Sequence, residues 1–77
     1  MMSKMLDPFE ELANAIVLQA VKDYREANSK LARGRRNLEA EEIKEECLRF
    51  FRSGLFPLMT SVEPELLIKK LDAEVMR

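Results

Sequence analysis

From Phe9 to Arg33 the chain carries neither glycine nor proline, and its apolar residues recur with the helical period throughout. Placed 100° apart, Phe9, Leu12, Ala13, Ile16, Val17, Ala20, Tyr24, Ala27 and Leu31 share one stripe about 140° wide, broad enough to pack against two other helices. Asp7 is placed to cap the orphan amides, Pro8 suits the first helical position, and Glu10 stands where a capping box needs a carboxylate. The spacing therefore predicts a helix over 8–32, about 37 Å long, with a frayed start over 1–6. In a chain of 77 residues that helix is the spine of a single domain, and the rest must pack on it.

Arg33-Gly34-Arg35-Arg36-Asn37 ends the first helix and opens a second over 38–52. Gly34 is available for a left-handed C-terminal position, and Asn37 is the expected N-cap. Ala40, Ile43, Cys47, Phe50 and Phe51 then share a face, and Glu39, Glu41 and Glu42 complement the amides of the first turns. Ser53-Gly54 breaks this helix. A connector over 53–63 follows, whose apolar run Leu55-Phe56-Pro57-Leu58-Met59 reads as a buried turn, with Phe56 and Leu58 plugging the end of the bundle. Pro64 opens a third helix over 64–75 with Leu67, Ile68, Leu71 and Val75 inward. The expected fold is all-α: a three-helix bundle with a long first helix and a short apolar connector turn between helices 2 and 3.

What the chain lacks narrows the chemistry. There is no histidine, and one cysteine cannot close an intrachain disulfide, so Cys/His zinc sets and Ser-His or Cys-His nucleophile pairs are excluded within one chain. Glu41, Glu42, Glu45 and Glu46 form i,i+4 carboxylate pairs, but helical di-metal sites also take histidines from facing helices, so these read as a solvated acidic face. No catalytic, cofactor-binding or metal-binding residue is expected, nor any small-molecule substrate. No apolar run reaches the roughly 20 residues that span a bilayer. A cytoplasmic protein with its single thiol, Cys47, reduced and serving as core filler is the expectation. Tyr24 should point inward with its hydroxyl at the rim, and Asp23 should sit at the edge of the apolar stripe, in water or paired with a cation.

Two surfaces remain as candidates. Leu18, Val21, Leu38 and Leu66 fall off the inner faces of their helices and are expected to form a protein interface, with self-association as a homodimer the first use for it. Lys30, Arg33, Arg35 and Arg36 make the one concentrated basic patch, the candidate nucleic-acid contact. Against that second use stand the glutamates that follow at once and a net charge of -1. A helix-turn-helix drawn through 55–76 would present Glu65, Lys69, Lys70, Asp72 and Glu74, a poor set for reading base edges.

The phrases Ala15-Ile16-Val17, Ala20-Val21-Lys22-Asp23-Tyr24-Arg25, Glu46-Cys47-Leu48-Arg49-Phe50-Phe51-Arg52-Ser53 and Glu65-Leu66-Leu67-Ile68-Lys69-Lys70-Leu71 resemble small uncharacterised proteins encoded by prophages and mobile elements of Gram-positive gut bacteria. The resemblance covers about residues 12 to 71 and rests on helical-core patterns of low specificity. It implies a phage accessory or regulatory role, inhibition of a host defence system included, and carries over no binding residue; the acidic face of the second helix separately suggests masking of a basic host protein by charge mimicry. The function expected is that of a non-catalytic protein-interaction module; the alternatives are a nucleic-acid-binding regulator and an anti-defence inhibitor.

Overall fold

Pro8, whose missing N–H is no loss in a first helical turn, opens α1 (Pro8–Leu31) in the computed structural model of the chain, which describes residues 8–34 and 36–75. The Asp7 cap and the frayed start over 1–6 lie outside the described residues. At the other end Lys30 stands in the last turn, and the Gly34 amide reaches the Leu31 carbonyl at 3.3 Å. Gly34 holds a φ of +83°, in the left-handed region that a Cβ disfavours, so the expected turn forms where a glycine permits it. Asn37 then caps α2 (Leu38–Phe51), its Oδ1 accepting from the Ala40 amide at 2.9 Å. Its extended backbone is the usual N-cap conformation.

Gly54 takes no positive φ, so the break after α2 is the work of Ser53. The Ser53 hydroxyl donates to the Phe50 carbonyl at 2.8 Å and accepts from the Leu55 amide at 3.2 Å, turning the chain. Within the connector one helical turn, α3 (Phe56–Met59), precedes α4 (Pro64–Ala73). Thr60 Oγ1 satisfies the Val62 amide and leaves α4 to start at Pro64 without a side-chain cap. The ends of the three longer helices fall within two residues of the sequence expectation, which is ordinary fraying. The described residues contain helices and turns and no strand.

α1 is the element on which α2, α3 and α4 all pack. Cys47 Sγ donates to the Ala20 carbonyl at 3.5 Å, and Phe50 lies beside Ile16, so α2 runs back along α1 and ends near Ile16. Tyr24, Phe51 and Phe56 are fully buried at the centre, with Cys47, Ile68 and Leu71 completing the cluster. Edge-to-face contacts join Phe51 to Tyr24 at 5.7 Å and to Phe56 at 5.5 Å between ring centroids. Phe56 plugs the core as expected.

Val75, expected inward on the third helix, is 38% exposed beyond the end of α4 at Ala73, and Leu55 of the connector, expected buried, is 53% exposed. Four further apolar residues depart from expectation, each for a geometric reason. α1 has 24 residues and α2 has 14, so α1 outruns its partner by about 15 Å. The overhang carries Phe9 and Leu12, which are 62% and 59% exposed instead of forming part of an inner stripe; Ile16, at its edge, is half-covered. Leu58, expected to plug the bundle beside Phe56, is 71% exposed, because one helical turn can aim only one of the two inward. Val21 departs in the other direction. It was expected off-face, yet it is partly buried against the core. Asn28, seven residues on and therefore on the same side of α1, reaches Asp72 of α4, so α4 covers the flank on which Val21 lies.

Candidate functional site

The polar centre of the fold is Asp72, which the helical wheel places outward on α4. Its Oδ1 accepts from the Tyr24 hydroxyl at 2.8 Å and from Asn28 Nδ2 at 3.1 Å, and Lys44 Nζ lies 3.7 Å away. Lys44 also sits 5.5 Å from the centroid of the Tyr24 ring. Asn28 and Tyr24 are buried, and Asp72 lies at the half-exposed rim that the tyrosine hydroxyl was expected to reach. Arg25 grips Glu74 with two hydrogen bonds just beyond, and Arg52 grips Glu65 at the start of α4. These exposed forks hold Glu74 and Glu65 below the usual carboxylate range, chiefly through the hydrogen bonds themselves. Three tethers of charge thus fix both ends of α4. No buried side-chain nitrogen or oxygen among the described residues lacks a partner, so the buried part of this cluster is satisfied within the chain.

Burial, and then the hydrogen bond to Asp72, push the Tyr24 hydroxyl well above its ordinary value near 10. The folded state therefore keeps its proton where the unfolded state loses it. Stability from this group is complete below pH 10 and falls as pH rises above it, by about 1.4 kcal/mol per pH unit. Burial also raises the Cys47 thiol, which acts in the same direction from about pH 9. Tyr24 is the one tyrosine, so phenolate absorbance reports it alone. An alkaline titration should show phenolate appearing together with loss of helix, and Tyr24→Phe should move the unfolding to higher pH relative to its own stability at pH 7. Ionisation near pH 10 in a chain still helical would contradict the buried hydrogen bond.

Apolar surface, not the polar cluster, is what the molecule leaves open. One groove of about 420 Å³ lies between the α1 overhang and α3; Phe9, Ala13, Pro57, Leu58 and Met59 are its apolar lining, Asn14, Thr60 and Ser61 its neutral polar lining, and Glu10 its one ionisable residue. A second groove, of about 290 Å³, runs between α1 and α2; Ile16, Ala20, Cys47 and Phe50 make its floor and Asp23 and Glu46 its rims. Asp23 is partly buried and accepts from Gln19 Nε2 at 2.9 Å; the cation considered for it is absent among the described residues. Among the described residues no three carboxylate or thiol side chains are arranged to hold a metal ion, and no helix is long and apolar enough to cross a membrane.

Of the residues expected at an interface, Leu18, Leu38 and Leu66 are exposed, in the middle of α1, the first turn of α2 and the first turn of α4. None of them lines the grooves just described, and Val21 is withdrawn into the core flank. Lys30 and Arg33 share a shallow wall with Arg25 at the far end of α1, where Glu26 intrudes and Arg25 is committed to Glu74. Arg36 is exposed beyond the turn, and Arg35 lies outside the described residues. Periodicity marks Phe9 and Leu12 as core, and the signal for their exposure is the difference in helix length, which carries the start of α1 past the end of α2; Leu58 reads as core only from the apolar run of the connector. The chain matches no protein-family model, no curated protein and no solved structure.

Proposed function

We propose that α1, α2 and α4 form a three-helix bundle stoppered by Phe56, and that the chain is a non-catalytic protein-interaction module whose first partner is a second copy of itself. The observation that carries this reading is the overhang of α1 with its groove against α3: Phe9 and Leu58 line the groove and, like Leu12 three residues further along α1, are more than half exposed. Covering a side chain of this size recovers about 2 kcal/mol, and a two-fold interface would cover each of the three twice. A two-fold axis also sets a surface against itself, which a patch with Glu10 as its single ionisable lining residue tolerates. The setting proposed with it is the bacterial cytoplasm, in an accessory or regulatory role for a phage or mobile element; the resemblance described above is its support.

Light scattering over a dilution series tests the reading. The chain is expected to run as a dimer that dissociates on dilution, and Phe9→Glu with Leu58→Glu should give a folded monomer at every concentration. Leu18→Glu should leave the mass unchanged, since Leu18 lies outside the groove. A chain that is monomeric throughout, or a dimer indifferent to Phe9→Glu and Leu58→Glu, would remove this surface from consideration.

A further inference from the structure

The groove between α1 and α2 differs from the overhang in one decisive respect, its charge. Asp23 on α1 and Glu46 on α2 face each other across an apolar floor of Ile16, Ala20, Cys47 and Phe50, and no Lys or Arg lines it. Neither carboxylate is in an ion pair with a described residue; Asp23 has only the neutral Gln19 amide at one oxygen. Both raise the Cys47 thiol electrostatically, which places both charges close to the same point of the floor. We infer that this groove receives a cationic amphipathic helix from another protein, an apolar side chain resting on Ile16, Ala20, Cys47 and Phe50 while Lys or Arg residues on either side of it reach Asp23 and Glu46.

Geometry selects a helix. Two helices lying side by side leave a channel into which the side-chain ridge of a third helix fits, and cations three or four positions from an apolar residue on that helix flank it on one face. Charge selects the partner. A second copy docking groove to groove would bring four carboxylates together around a desolvated floor, where like charges across an interface cost several kcal/mol. Phosphate backbones and anionic lipid surfaces are repelled for the same reason. The inference concerns a face other than the proposed dimer contact, and each can fail without the other.

The test uses the full chain carrying Phe9→Glu and Leu58→Glu, so that self-association does not compete. Two amphipathic helical peptides of identical pattern are titrated in, one of leucine and lysine and one of leucine and glutamate, with amide shifts followed by NMR. The lysine peptide should bind with shifts centred on Ile16, Ala20, Asp23, Glu46 and Phe50, and the glutamate peptide about tenfold or more weakly. Asp23→Lys with Glu46→Lys should reverse that order. Should the reversed chain prove unstable, Asp23→Asn with Glu46→Gln, which preserves shape, should make the two peptides bind alike. The inference is overturned if the lysine preference survives either pair of changes, if the shifts centre on the outer glutamates Glu41 and Glu45, or if neither peptide saturates.

Discussion

Phe51→Ala should leave the chain largely unfolded at 25 °C, with no cooperative transition in urea. Phe51 closes α2 and is wholly buried, and its ring meets those of Tyr24, Phe50 and Phe56 within 6.0 Å. Truncating such a phenylalanine costs about 3–5 kcal/mol in lost transfer energy and in the cavity left behind. A single core in a chain this short supplies a net stability of about the same size. Helices of ten to 24 residues do not survive alone in water by propensity, so the loss should appear as loss of helix by circular dichroism and not as a loosened core. Phe51→Leu refills most of the space and should cost under about 1.5 kcal/mol, which separates a packing effect from intolerance of any change. Phe50→Ala should cost less than Phe51→Ala, because Phe50 is only partly buried and borders the α1–α2 groove. A Phe51→Ala chain with an unmoved urea midpoint would mean that the three aromatic contacts do not organise the fold.

The parts of this fold legible in the sequence are those decided within one turn of chain. Gly34 ends a helix because the residue itself tolerates the left-handed backbone, Asn37 caps because its oxygen reaches three residues on, and Pro64 opens α4 because it lacks an N–H. Each is a local bargain between a side chain and its own backbone. What periodicity supplies for longer range is the angle of a face, never the length of the element that will cover it. Phe9 and Leu12 lie at the right angle for burial and are exposed because α2 stops at Phe51, near Ile16. Val21 lies at the wrong angle and is sheltered because α4 crosses its side of α1. The open grooves follow from these same lengths and crossings, which is why the interface residues chosen from the wheel, Leu18, Val21, Leu38 and Leu66, do not line them. Asp72 was hidden for a related reason: its partners Tyr24 and Asn28 lie 48 and 44 residues away, and nothing near Asp72 in the chain announces them.

Asp72→Ala is expected to have the second largest effect, about 2–4 kcal/mol, although the substituted residue is half-exposed. The cost arises at its partners. Removing the one oxygen that serves both leaves the Tyr24 hydroxyl and Asn28 Nδ2 without their acceptor, and Asn28 is only 3% exposed, so water replaces it poorly. A buried polar group stranded in this way costs about 1–3 kcal/mol. Asp72→Asn keeps an acceptor oxygen while losing the charge opposite Lys44, and should lie between wild type and Asp72→Ala. The decisive measurement is a double-mutant cycle in urea. Tyr24→Phe alone removes a satisfied donor and destabilises; made on top of Asp72→Ala it removes a stranded one, so the second change should be near neutral or stabilising. Strict additivity would show that the hydrogen bond contributes nothing. Because Asp72, with Arg25–Glu74 beside it, holds α4 against the Val21 and Asn28 flank of α1, its loss should first raise hydrogen exchange in α4 while α1 and α2 stay protected. That order follows from the same placement that leaves the opposite flank of α1, from Ile16 to Asp23, open as a groove against α2: α4 is tied to the other side of the spine and does not cover it.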